Sequence, residues 1–404
     1  METICSKTSC TGCGLCEMMC PHQSISMLRD DLDVLYPSIN HTTCVDCGLC
    51  KKKCPANNNI TGNTPRRCYA AWSNNTEVRK NGASGGIASE LYYYALANGW
   101  YTAGVALNEK SELFFVPVEN KDDICIVRNS KYVQANHNGI YKAFKNELLI
   151  GRECLFIGLP CQVAALKSYL GKDYPNLYTC DIICHGVPPV QYLQSHINSI
   201  EQKYNFKHSK CFFRDPKKGT ESFFFSLWSG DKLKYARNSQ SNDLFQMAYH
   251  GALIYRENCY QCKYAKGERM GDITIGDFDG LGTKTPFNYY RYQLSCVLAN
   301  TNKGEELIND LGNNITFIER DIDEAINNQC QLRSPASPHP ERNKFVELYM
   351  ACHDFESSAR AIFKRQMRTN TIKRILVWEP IRFLQLITPQ CFRNFIKRVL
   401  RHVR

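Results

Sequence analysis

No stretch of the 404-residue sequence reaches the roughly 18 continuous apolar residues of a membrane span, which argues against a membrane channel. Nor does the N-terminus show a charged segment followed by a short apolar run, so a cytoplasmic location is expected rather than secretion. Acidic residues are scarce at the other end. From Arg360 to Arg404 there are 12 Lys or Arg and one acid, Glu379, so these 45 residues carry the whole formal charge of +11. The preceding 359 residues balance 38 bases against 38 acids. A neutral body disfavours a uniformly basic protein, so no nucleic-acid partner is expected and any electrostatic partner should be sought by the tail. Apolar content of 43% and charged content of 22% are those of a folded chain, which excludes disorder and collagen-like repeats. At this length more than one hydrophobic core is expected.

What is abundant is cysteine, with 22 residues. In a reducing cytosol that density favours metal ligands or redox groups over disulfides. Cys10, Cys13, Cys16, Cys20 and Pro21 recur as Cys44, Cys47, Cys50, Cys54 and Pro55, each displaced by 34, and Gly14-Leu15 recurs as Gly48-Leu49. C-x2-C-x2-C-x3-C-P is the bacterial ferredoxin run, in which three thiolates bind one iron-sulfur cluster and the fourth crosses to the other. Cys10, Cys13, Cys16 and Cys54 are therefore expected to hold one 4Fe-4S cluster, and Cys44, Cys47, Cys50 and Cys20 a second. Gly12, Gly14 and Gly48 permit the tight turn this needs, and the proline ends it. C-x2-C pairs also make zinc sites, but a zinc site has no use for three cysteines at two-residue intervals plus a fourth before proline, twice over. Two adjacent clusters make this segment a wire for electrons.

The polar run from Asn57 to Pro65 reads as a linker. Beyond it, helical and strand-like segments alternate. Ile87 to Asn98 predicts a helix closed by Gly99, Cys154 to Ile157 a buried strand, and Cys161 to Leu170 a helix capped by Gly171. Leu177 to Cys184 predicts another strand, and Ile273 and Ile275 alternate in a third. The fold class expected is α/β or α+β, and residues 334–340, with three prolines, read as a late linker.

Four further cysteines stand in marked contexts: Cys161 in G-L-P-C-Q, Cys184 in I-C-H-G-V-P, and Cys259 and Cys262 in C-Y-Q-C-K-Y. Four thiolates are what a third cluster needs, yet a buried cysteine at a strand end is commonly plain packing, and from these residues both readings stay open. Taken in order, A-S-G-G-I-A-S near residue 83, S-K-Y-V-Q at 130–134, G-L-P-C-Q at 158–162, I-C-H-G-V-P at 183–188 and C-Y-Q-C-K-Y-A followed by R-M-G-D-I-T-I-G-D-F resemble the beta-subunit family of coenzyme F420 hydrogenase and dehydrogenase. The resemblance covers about residues 68–300, and an N-terminal double-cluster ferredoxin is a common attachment there. It implies a flavoprotein with FAD and a third 4Fe-4S cluster held by Cys161, Cys184, Cys259 and Cys262. One departure is that Asp279 follows Phe278 where the family usually has Trp, which alters that edge of the pocket. The family name does not fix F420 as the substrate. The domains expected are a double-cluster unit over 1–60, the two parts of the family body over 68–150 and 151–333, and a helical basic tail over 341–404.

Ser84, Gly85 and Gly86 precede the helix at Ile87, where glycines and a helix N-terminus suit a phosphate. With the resemblance they become candidate FAD contacts. Lys131, Tyr132 and Gln134 of S-K-Y-V-Q are further cofactor candidates, Lys131 as a cation near the flavin and a catalytic candidate, or else a solvated side chain at a strand edge. His185 is a candidate proton donor, with a structural, hydrogen-bonded histidine as the alternative. Asp272 and Asp277 are candidates for ribityl hydroxyls or turn caps; the same choice applies to Arg269, Arg214 and Asp215.

In the tail, Thr388-Pro389 reads as a helix start. Phe392, Phe395, Ile396, Val399, Leu400 and Val403 then recur at helical intervals opposite basic residues. Such a helix lies on an anionic membrane surface or packs on the body, and in the first case the protein is peripheral at the inner membrane face. The function expected is a flavin-dependent oxidoreductase. It takes electrons from a donor such as ferredoxin or a reduced coenzyme, through clusters and FAD, to a small organic substrate. The alternative is a non-catalytic electron-transfer subunit linking ferredoxin to a partner enzyme.

Overall fold

The computed structural model describes residues 3–289 and 293–378. Strands β1 (Ile25–Arg29) and β2 (Leu35–Ile39) pair antiparallel, with Ile25 opposite Ile39. The 34-residue sequence repeat reappears as two five-residue helices, Leu15–Met19 and Leu49–Lys53. Each is entered through a left-handed glycine, Gly14 and Gly48, both at φ 71°, and each is left at an extended cysteine, Cys20 and Cys54. Glycine takes that backbone conformation without steric cost, so the repeat in sequence becomes a repeat in shape.

The body holds β3 (Arg67–Ser73), β4 (Tyr101–Leu107), β5 (Leu113–Pro117), β6 (Cys154–Gly158), β7 (Leu177–Ile182), β8 (Lys210–Phe212), β9 (Phe225–Ser229), β10 (Lys232–Arg237), β11 (Ile273–Asp277), β12 (Ser295–Ala299) and β13 (Ile315–Arg320). Eight of them form one sheet in the order β13-β3-β12-β11-β7-β6-β4-β5, and β10-β9-β8 form a smaller antiparallel sheet. In the large sheet β11, β7, β6 and β4 are parallel, and the remaining neighbours pair antiparallel. The architecture is mixed α/β. Parallel strands have both faces covered, which is why β6 reads as the unbroken apolar run Cys-Leu-Phe-Ile. Leu155 and Ile157 face the helix Ile87–Ala97 through Leu91, while Phe156 packs with Phe144, Val163 and Leu166 from the helices Ile140–Leu149 and Pro160–Leu170. The limits of the helices Ile87–Ala97 and Pro160–Leu170 match the expected ones within a residue. The strand expected over 177–184 stops at Ile182, leaving Ile183 and Cys184 in the loop beyond.

A second core gathers the helix Val190–Tyr204, the smaller sheet and the helix Leu244–His250 with the helices Arg342–Cys352 and Phe355–Lys373. Phe345, Tyr349, Phe355 and Phe363 are all buried in it. Helices over 342–373 thus pack on the body; the amphipathic stretch after Thr388 lies outside the described residues. No helix among the described residues is long and apolar enough to cross a membrane.

His196 pins this core. Its Nδ1 contacts the Glu356 carboxylate, and its Nε2 lies 3.1 Å from Asp243, which also accepts from the Tyr235 hydroxyl at 3.0 Å. Burial alone disfavours the imidazolium, but the two carboxylates outweigh it and push the His196 pKa up to about 10. A folded pKa above the ordinary 6.5 means the stabilisation is complete below 6.5 and fades as pH rises toward 10. Replacing His196 with leucine strands the buried Asp243 and the half-buried Glu356 carboxylates and is expected to cost about 3–5 kcal/mol. Thermal melts between pH 6 and 10 check both statements, with the wild-type advantage narrowing toward alkaline pH.

Candidate functional site

In a parallel sheet, ligands collect beyond the carboxyl ends of the strands. Here those ends carry the marked motifs. Cys161 is the second residue of the helix that follows β6, Cys184 lies just past β7, and Asp277 ends β11. Cys259 sits in the turn Glu257–Gln261, with Cys262 directly after it.

The cysteines sort into three cavities. Cys10, Cys13, Cys16 and Cys54 line one, and Cys20, Cys44, Cys47 and Cys50 line a second, so the fourth thiol of each run does cross to the other set. Cys161, Cys184, Cys259 and Cys262 line a third, together with Gly12 and Cys13 of the first set. Burial pushes the Cys161 thiol well above its ordinary range, and Cys184, Cys262, Cys259 and Cys13 push it the same way. Burial likewise raises Cys259 to about 11. Buried thiols of this kind are inert unless a cationic centre makes thiolates favourable. Among the described residues no group of three or more His, Cys, Asp or Glu side chains is set to hold a single metal ion.

A fourth cavity, about 350 Å³, opens beside the third. Ser84 and Gly86 line one side, at the start of the helix Ile87–Ala97, where Ser89 N and Glu90 N donate to Gly86 O at 3.1 and 3.2 Å and the helix N-terminus faces the space. The Tyr132 and Tyr249 rings stack at 4.3 Å and 11° on another. Arg214 donates to Asp277 at 2.7 Å and lies 4.3 Å over the Phe223 ring. His185 and His250 both open onto this space, and burial lowers both pKa values, His250 to about 4, so both imidazoles are neutral at pH 7. Burial, with Asp277 adding to it, raises the Asp279 carboxyl. The position expected to alter the pocket edge is thus a carboxyl inside the cavity.

Of the cofactor and catalytic candidates, Ser84, Gly86, Lys131, Tyr132, His185 and Asp277 line this cavity. Lys131 is not a solvated side chain: its Nζ donates to the carbonyls of Val127 at 2.9 Å and Arg128 at 3.0 Å, and burial draws its pKa down to about 7. Three candidates lie elsewhere. Gly85 packs against the sheet, its N–H donating to Ser295 Oγ at 2.9 Å. Gln134 donates to Gly12 O at 2.9 Å, at the joint with the N-terminal unit. Asp272 precedes β11, roughly 16 Å of extended chain from Asp277. Its carboxylate accepts from Thr179 N at 2.8 Å, Thr179 Oγ1 at 2.7 Å and Thr301 Oγ1 at 2.9 Å, so it serves as a strand tie. Arg269 pairs with the buried Asp181 at 3.2 Å, and Asp215 accepts from the Trp228 indole at 3.0 Å; both are structural. Two residues had no signal in the sequence. His250 has no motif around it, and Cys5, whose counterpart 34 residues on is Ile39, lines the first thiol cavity together with Cys10 and Cys54.

Comparison with known families finds the coenzyme F420 hydrogenase/dehydrogenase beta subunit N-terminal model over residues 68–140 and its C-terminal model over 151–325. A 4Fe-4S dicluster domain model matches residues 9–58. Among solved structures, a chain of the xenon-derivatised F420-reducing [NiFe] hydrogenase complex from Methanosarcina barkeri is 18% identical, with 75% of this chain and 93% of that one covered at a TM-score of 0.39. Comparison with curated proteins gives no match. With both halves of one family matched in order behind a dicluster domain, the chain belongs to the coenzyme F420 hydrogenase/dehydrogenase beta-subunit family of iron-sulfur electron-transfer oxidoreductases.

Proposed function

We propose that the protein is an iron-sulfur flavoprotein. It would pass electrons from a low-potential donor through three 4Fe-4S clusters to FAD and on to a small organic substrate. The observation that carries this reading is contiguity. Thr11, Gly12 and Cys13 belong to the walls of both the first and the third thiol-lined cavities, while Cys184, His185 and Gly186 belong to both the third cavity and the open one. Cys161, Cys184, Cys259 and Cys262 would hold the third cluster, and the helix start at Gly86 with Ser84, Lys131, Tyr132 and Asp277 would hold FAD. Bound there, these groups supply one-electron relay and its conversion to two-electron chemistry.

The chain's own residues have separate tasks. The helix start after Gly86, with the partial positive charge of its N-terminus, suits a phosphate. Tyr132, backed by Tyr249, offers a flat aromatic wall. Lys131, with a pKa near 7, holds or releases a proton at Nζ near neutrality. His185 sits where the third cavity meets the open one and, being neutral, accepts or donates at a ring nitrogen. Arg214 and Asp277 neutralise each other, so Asp279 is left to orient a polar substrate group. Anaerobic reconstitution of the full chain is expected to give about 12 irons per chain, with FAD released on denaturation. A preparation holding zinc and no flavin overturns the reading.

A further inference from the structure

The described residues include four buried arginines, and three have carboxylate partners. Arg214 pairs with Asp277 at 2.7 Å, Arg269 with Asp181 at 3.2 Å and Arg342 with Glu257 at 2.5 Å. Arg256 is fully buried, at 0% exposure, and no carboxylate among the described residues lies within ion-pair distance. Its guanidinium donates to neutral oxygens only: Gln134 Oε1 at 2.7 Å, Cys10 O at 3.1 Å, Leu35 O at 3.0 Å and Asn258 Oδ1 at 3.2 Å. These bonds engage four of its five N–H donors and leave its charge unbalanced. A buried charge without a counter-charge costs several kcal/mol. The energetics therefore call for an anion at this spot.

The surroundings identify it. Arg256 holds the Cys10 carbonyl at 3.1 Å, and its positive charge lies near both the Cys10 thiol and that of Cys259, three residues along its own loop. Its guanidinium carbon would stand 2.8 Å from a Cβ at Gly12, so position 12, at φ 65°, must stay glycine for the side chain to pass. Gly12, Gln134 and Asn258, all touched by Arg256, line the third cavity. A cube held by four thiolates is net anionic, and charge near it sets its reduction potential.

We propose that Arg256 is the shared counter-charge of the first and third thiol sets, a positioning residue that raises the reduction potential of both and levels the passage of electrons across the joint. The proposal rests on the three-cluster reading above. Each cluster takes up one electron and gives it up again, so the guanidinium lowers the cost of the added negative charge and no bond is made or broken.

The test is an EPR-monitored redox titration of the anaerobically reconstituted full chain, compared with R256Q and R256K. In R256Q two of the three cluster potentials are expected to fall, with the Cys20, Cys44, Cys47, Cys50 set unmoved and iron content unchanged. R256K keeps the charge without the planar fork and is expected to stay near the wild type. Unmoved potentials in R256Q overturn the proposal, as does an R256K shift as large as that of R256Q, which would assign the effect to shape. Should R256Q fail to hold iron, R256K decides alone: wild-type potentials support the proposal and lowered ones overturn it. A wild type with eight irons sinks the three-cluster reading and the proposal with it. A wild type with 12 irons and potentials indifferent to position 256 sinks the proposal only.

Discussion

Replacing Cys184 with alanine is expected to lower the iron content from about 12 to about 8 atoms per chain and to leave both N-terminal clusters spectroscopically intact. The separation follows from the cavities. Cys184 lines only the third thiol set and the wall it shares with the open cavity, whereas the first two sets draw their thiols from residues 10–54. Reduction of an organic acceptor should fall to background in the same variant, because among the described residues no other thiol set lines the open cavity. Cys180 provides the control. It lies on β7 four residues earlier, fully buried and outside every thiol-lined cavity, packed against apolar neighbours. Its alanine variant loses little volume, is expected to cost no more than about 1 kcal/mol, and should retain all 12 irons. Iron and acid-labile sulfide assays with EPR on both variants check the contrast. Equal iron in the two would remove the third set from the reading.

How much of this was legible beforehand depends on how far apart the interacting residues are. The N-terminal thiol sets follow from spacing, because residues three and four apart are confined by the chain to one turn, and the exchange of Cys20 and Cys54 is built into the repeat. Cys161, Cys184 and Cys259 are spread over about a hundred residues. They meet because each follows a strand end or enters a turn on one side of a parallel sheet, and strand order was not readable. Asp272 and Asp277 show the limit most plainly. Both stand in one motif, but five residues of extended chain carry them to opposite ends of β11, and only the carboxyl end faces the cavity. Gln134 belongs to S-K-Y-V-Q like Lys131 and Tyr132, yet its partners Gly12 and Arg256 come from 122 residues away in each direction. Pairings of that kind leave no trace in local pattern. The packing of residues 342–373 on the body is a similar case, since apolar positions in a helix show that something covers them but not what.

Asp181 is the residue whose loss is expected to damage the fold and the site together. Its carboxylate is fully buried among the central strands and accepts four hydrogen bonds: from Arg269 Nη2 at 3.2 Å, Thr274 Oγ1 at 2.5 Å, Met270 N at 2.8 Å and Gly271 N at 3.2 Å. Removing it leaves the Arg269 charge buried with no counter-charge and two backbone donors unpaired, at a cost of about 3–5 kcal/mol. The same carboxylate ties the loop that carries Cys262 to the strand that leads to Cys184. D181A is therefore expected to unfold at clearly lower denaturant and, where it folds, to hold about 8 irons rather than 12. D181N keeps the shape and one acceptor oxygen but loses the charge, and should fall between. Denaturant titration with iron assays on both variants reads the two effects. A D181A protein of wild-type stability would mean that Arg269 finds its compensation elsewhere, and the account of how the Cys184 and Cys262 loops are held together would fail with it.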